Sequence, residues 1–203
     1  MIYEGSPAKH LPGMAALIFG KLKDRHRCFY MNSPAMIAGL RTYLAAADVD
    51  VTGEIRAGAL VLTSDQSQLA NGHFDTIGML GKLVQAVKDA RRDGYKGLWA
   101  SGDMTWELGS DYNPDVLLEY EYGLEQVFRR YPTLSGICQY HRDTLPTKAI
   151  QAGVLAHRAL YVNETLSRIN PEYGLDDESD DPTGLELPSR LDVWLRDLRR
   201  TSD

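Results

Sequence analysis

The stretch SGDMTWELG, residues 101–109, sets an acid, a thioether and an indole side by side where an apolar run gives out. Asp103 can act as a general acid or base, as the polar anchor of a small-molecule pocket, or as a turn residue that bonds nearby backbone amides. Met104 and Trp106 suit a pocket wall or ordinary core packing, since both bury large apolar surfaces wherever they can. Further along, Cys138 and His141 lie three residues apart and offer a thiol and an imidazole, the types needed for nucleophilic catalysis. That spacing does not by itself bring a base to a thiol, and a packed, inert cysteine is the alternative. Glu119 and Glu121 flank Tyr120 on a helix, where residues two apart face different ways and cannot share a proton. His157, in VLAHRAL, stands where a helix should end and its ring can meet the last carbonyls, while His10, His26 and His73 read as surface or loop residues. No group of His, Cys, Asp or Glu has metal-ligand spacing, so neither a metal nor a cofactor is expected.

Missing motifs narrow the chemistry. The chain has neither GxxxxGK[ST] nor GxGxxG to cradle phosphates, and no GxSxG elbow to present a serine. Gly20-Lys21 falls late in a helix, the wrong end for phosphate. The net charge of −6 argues against a nonspecific grip on nucleic acid. No apolar run approaches the ~20 residues a membrane span requires, and the first ten residues lack the apolar core of a secretory signal, so a cytoplasmic protein is expected. Cys28 and Cys138 are distant in sequence and read as reduced thiols.

These residues need a scaffold. Ser6-Pro7 followed by Leu11, Met14, Ala15, Leu17, Ile18 and Leu22 marks a first helix, HRCFYMN a strand, and Met36, Ile37, Leu40, Tyr43 and Leu44 one face of a second helix. Gly58 precedes a buried strand over Ala59–Leu62. Residues 76–92 repeat apolar positions at helical spacing and end before Gly94, the expected capping glycine. KGLWASGD, a helix ended by Pro132, LSGICQY, a helix over PTKAIQAGVLAH and an edge strand ALYVN complete the alternation. Apolar strands alternating with helices mean a three-layer, mostly parallel α/β sheet covered on both faces. Ligands in such sheets collect beyond the carboxyl ends of the strands, where 30–32, 63–65, 103–106 and 138–141 would converge. Residues 1–172 form this domain, 173–188 an acidic linker, and 189–203 a C-terminal amphipathic helix suited to its own domain or to a partner.

The ordered set IYEGSPAKHLPGMAALIFGKLKDRHRCFYMNS, GALVLTSDQSQLANGHFD, GYKGLWASGDMTWELG, LLEYEYGLEQVF and GICQYHRDTLP, closed by His157, resembles the MEDS sensory domain family over about residues 2–165. The resemblance implies a RecA/KaiC-like core without a phosphate-binding loop, and a noncatalytic sensor of small hydrocarbon derivatives in signalling or transcription. It marks Gly102, Asp103, Met104, Trp106, Tyr120, Glu121, Cys138, Tyr140 and His157 as characteristic residues, and all of these but Gly102 as candidate ligand contacts. Family members usually open with a strand carrying a His and a Cys ahead of the aromatic that corresponds to Tyr3. The first strand is therefore expected to be truncated or missing, and an open sheet edge there would favour a homodimer. A regulatory partner engaged through the C-terminal helix is the expected output. The competing readings are a protein-interaction scaffold derived from a degenerate ATPase core and a small-molecule enzyme using Asp103 or Cys138.

Overall fold

A computed structural model describes residues 1–64, 69–70, 73–105, 114–162 and 166–169. The linker, the C-terminal helix and Trp106 lie outside these residues. The chain opens with β1 (Ile2–Tyr3), a short 3-10 turn (Pro7–His10) and α1 (Leu11–Lys23). Then come β2 (Arg27–Asn32), α2 (Pro34–Ala46), α3 (Val51–Arg56) and β3 (Leu60–Ser64). A small antiparallel pair, β4 (Leu69–Ala70) and β5 (His73–Phe74), leads into α4 (Thr76–Arg92) and β6 (Leu98–Asp103). The remainder is α5 (Pro114–Arg130), β7 (Leu134–His141), α6 (Thr147–Ala156), β8 (Ala159–Val162) and β9 (Leu166–Ile169).

The main sheet has the order β3-β2-β6-β7-β1-β8-β9, parallel from β3 through β8 and antiparallel only at β9. The period of two along each strand divides the core. Cys28, Tyr30, Leu60 and Trp99 face α1 and α2, where Leu11, Met14, Ile18, Leu40 and Leu44 cover them. Met31 and Cys138 face the other way and meet α4, α5 and α6 through Met79, Leu117, Tyr120, Leu124, Ile150 and Val154.

Local chemistry sets the element ends. Asp75 caps α4 by accepting from the Gly78 amide at 2.9 Å, a bond worth about 1 kcal/mol. Gly94, with φ of 86°, ends that helix, and the Tyr95 amide returns to the Ala90 carbonyl at 3.0 Å. α3 stands between α2 and β3. It is a single capped turn and a half: Asp50 accepts from the Gly53 amide at 2.9 Å. β8 is not an edge strand, since β9 pairs beside it.

The first strand, expected to be truncated or missing, is present as a two-residue strand. Its two residues lie inside the sheet, Ile2 and Tyr3 paired with Tyr140 and His141 of β7, and Ile2 also with Val162 of β8. No edge opens at this point, which removes the reason for expecting a dimer there. No helix among the described residues is long and apolar enough to cross a membrane.

Candidate functional site

Strand register creates a hollow on the α4/α5 side of the sheet. Pairing aligns Phe29, Ala100 and Gly136 in one row and Met31, Gly102 and Cys138 in the next. The middle strand thus offers only a methyl group and a hydrogen beneath two helices. α4 and α5 cannot sink into that gap, and Met79, Leu83, Tyr120, Leu124 and Phe128 roof an apolar cavity of about 340 Å³. Its few polar borders come from Thr63, Ser101 and Lys82. Hollows of this size and lining are typical of small-molecule sites.

The cavity lies on the face of the sheet, not beyond the strand tips. Of the residues expected at the site, Met104, Tyr120 and Cys138 line it, with Gly102 in its floor. Asp103 does not. Its Oδ2 accepts from the Tyr3 hydroxyl at 2.9 Å and its Oδ1 from the Thr105 amide at 2.9 Å, so it is a turn residue that also ties β6 to β1. Burial, with this carboxylate beside it, raises the Tyr3 phenol above the usual tyrosine range. Of the other expected edges, Met31, Thr63 and Cys138 reach the cavity, while His141 turns away. Its Nε2 lies 2.8 Å from the Gly5 carbonyl, its Nδ1 3.0 Å from Thr144 Oγ1, and its ring stacks on Tyr3. The Cys138–His141 pairing therefore does not form. His10, expected at the surface, is buried edge-on against Tyr3, their ring centroids 4.7 Å apart. Cys28 is wholly buried, and desolvation pushes its thiol up to about 12.

The remaining marked residues converge on a second, polar locus. Glu121 is 1% exposed on α5, within the same apolar stripe as Leu117, Tyr120 and Leu124. A carboxylate in such a stripe must find partners or lose its charge. Its Oε1 accepts from the Tyr140 hydroxyl, and its Oε2 lies 3.7 Å from His157 Nε2. Burial raises the Glu121 carboxyl, opposed by His157, the Tyr140 bond and the chain's amino group. That amino group, on Met1, donates to the Cys138 carbonyl at 2.5 Å, and burial lowers it to about 6. His157 caps α6 as its position suggests, Nδ1 donating to the Gly153 carbonyl at 2.7 Å. Glu121, Cys138 and His157 each bring a ligand-type atom within 4.8 Å of the others. They border a cavity of about 320 Å³, and Cys138, Leu124 and Phe128 are common to both cavities.

Spacing along the chain did not reveal this grouping. Its one legible sign is Glu121 itself, a charge at a core position of α5. Glycine makes the convergence fit: a Cβ on Gly153 would stand 2.5 Å from the Tyr140 ring, so only a bare backbone lets that phenol pass to Glu121.

A mostly parallel sheet between two helical layers defines a RecA-like α/β domain. The sequence pattern of the family described as MEDS, the MEthanogen/methylotroph, DcmR Sensory domain, matches residues 1–158, and the chain belongs to that family. It is 27% identical over 158 residues to the transcriptional repressor DcmR of Methylorubrum extorquens; the match covers 77% of this chain and 57% of that relative's length. Its fold is similar to the flagellar accessory protein FlaH of Methanocaldococcus jannaschii, with a TM-score of 0.55 at 16% identity, covering 79% of this chain and 68% of the other. The chain is thus a sensory domain with a regulatory relative.

Proposed function

We propose that the chain is a noncatalytic cytoplasmic sensor that binds a small, mainly apolar organic molecule between the sheet and α4/α5, and so biases a regulatory partner in signalling or transcription. The observation that carries this reading is the cavity floored by Ala100 and Gly102, about 340 Å³ of apolar space in a sensory-family domain. Halogenated hydrocarbons, short alcohols and amines suit its apolar lining, and Thr63 or Lys82 offers a polar contact at its border. Asp103 and Tyr140 are not drawn on, since their polar atoms are engaged with Tyr3 and Glu121.

Occupancy acts by differential affinity. A molecule that fits better when α4 and α5 are seated on it favours that arrangement, and one that binds both arrangements equally switches nothing. Thermal-shift titration of the full chain with such compounds tests the reading. A ligand at about 100 times its Kd adds about 2.7 kcal/mol, a rise of roughly 5–10 °C for a chain of this length. The rise should disappear in Ala100→Leu, whose side chain fills the floor. Absence of saturable stabilisation by any of these classes, or stabilisation undiminished by Ala100→Leu, refutes it.

A further inference from the structure

We infer that Glu121, Cys138 and His157 form a binding site for a divalent transition metal of the zinc class, independent of the apolar-ligand reading above. Three ligand types arrive from three elements: a carboxylate from α5, a thiol from β7 and an imidazole from the end of α6. Their ligand atoms lie within 4.8 Å of one another. His157 Nε2 and Glu121 Oε2 are 3.7 Å apart, too far for a hydrogen bond. Two ligands of one tetrahedral zinc-like ion, at their normal bond lengths, stand roughly 3.3–3.8 Å apart.

The surroundings are those of oriented metal ligands. A carbonyl can only accept, so the 2.7 Å contact from His157 Nδ1 to Gly153 O places the ring proton on Nδ1. In the neutral ring the Nε2 lone pair is then turned towards Glu121. An outer hydrogen bond to backbone carbonyl on one ring nitrogen, with the other facing an ion, is the usual arrangement of a ligating histidine. Tyr140 does the same for the carboxylate by bonding Oε1, which leaves Oε2 on the His157 side. A thiolate and a carboxylate neutralise a dication, so the loaded site carries no net charge into buried surroundings. The mixed S, N and O set suits Zn(II) and its spectroscopic substitute Co(II) better than Mg(II) or Ca(II), which take oxygen ligands. Three protein ligands leave one position of a four-coordinate ion for water, or for a heteroatom of a molecule entering the adjoining cavity of about 320 Å³.

Untagged full-length chain, stripped with chelator, is titrated with Co(II) and then with Zn(II). The expected result is one Co(II) per chain, with a thiolate-to-Co(II) charge-transfer band and the intense visible bands of four-coordinate cobalt, both erased by Zn(II). Cys138→Ser removes the charge-transfer band, Cys28→Ser leaves it, and His157→Ala weakens binding. Tyr140→Phe lowers affinity by about 10–100-fold while keeping the band, as loss of an outer partner does. If a variant fails to fold by circular dichroism, the wild-type spectrum and Zn(II) protection of Cys138 from alkylation decide. A folded wild-type chain that binds no stoichiometric Co(II), shows only a thiolate-free six-coordinate spectrum, or keeps the charge-transfer band in Cys138→Ser overturns the site.

Discussion

Two glycines on the same sheet face should respond oppositely to one added methyl group. Gly102→Ala places a Cβ on the floor of the apolar hollow, 3.2 Å from Met104 Cε and 3.6 Å from Met31 Cε. Both are far ends of flexible thioether chains that yield by a few tenths of an ångström. Gly102 does not occupy the left-handed region, so alanine costs no backbone strain there. The reduced freedom of the unfolded chain contributes about 0.5–1 kcal/mol, and burying a methyl group contributes about 0.8 kcal/mol. After the methionine shift, about 1 kcal/mol of net stabilisation remains, or roughly 2–4 °C in Tm for a chain of this size. Gly136→Ala meets backbone instead: its Cβ would lie 2.2 Å from the Ala100 carbonyl oxygen and 3.1 Å from its carbon. A strand cannot yield as a methionine does, and a loss of about 1–3 kcal/mol follows. Urea unfolding with unchanged m-values measures both, and ligand-induced stabilisation should shrink in Gly102→Ala, the usual exchange of function for stability. Destabilisation of Gly102→Ala by more than about 1 kcal/mol, or equal effects at both positions, would refute the view that an added methyl meets yielding side chains at Gly102 and unyielding backbone at Gly136.

Gly153→Ala should destabilise by about 1–3 kcal/mol although alanine is the better helix former, because the new Cβ meets the Tyr140 ring at 2.5–2.6 Å. Chemical denaturation gives the sign, and a gain in stability would show that the phenol is not held between α6 and Glu121. His26 is lowered from its ordinary range by desolvation, then by Lys21, with Lys96 adding and Asp24 opposing. Its contribution to stability is therefore complete above about pH 6.5 and is lost as pH falls through its folded value. His26→Asn should flatten the acid side of the Tm–pH profile from that point downward, and an unchanged profile would rule out His26 as the source.

Long apolar periodicity made much of the fold readable. The helix expected over 76–92 and α4 coincide, because 17 residues carry a repeating stripe with a cap at each end. α3 is not legible in the sequence because six residues can show no full stripe, and its cap, Asp50, reads equally as a turn. β9 escaped because four residues pair only with a strand already taken for an edge. Of the site, the list of residue types was legible and their grouping was not. Ala100 and Gly102 are unremarkable along the chain and become the floor of a hollow only when parallel register lines them up between Phe29, Met31 and Cys138. Glu121 and His157 meet through the packing of α5 against α6, which no spacing encodes. Asp103 shows the converse: one carboxylate both closes the turn through the Thr105 amide and bonds the Tyr3 hydroxyl, a second partner no local pattern encodes.

Among the described residues, the dipeptide β1 is the one backbone stitch between the two halves of the sheet, since β8 reaches β7 across Ile2 and Tyr3. Backbone cohesion along β3-β2-β6-β7 runs over five or six paired positions per seam, whereas here it rests on one or two. Backbone pairing thus leaves β8–β9 held to the sheet chiefly by side-chain packing, with Leu160 buried among Ile2, Tyr140, Ile150 and Val154, so hydrogen exchange in this ribbon should report that packing more than the ladder.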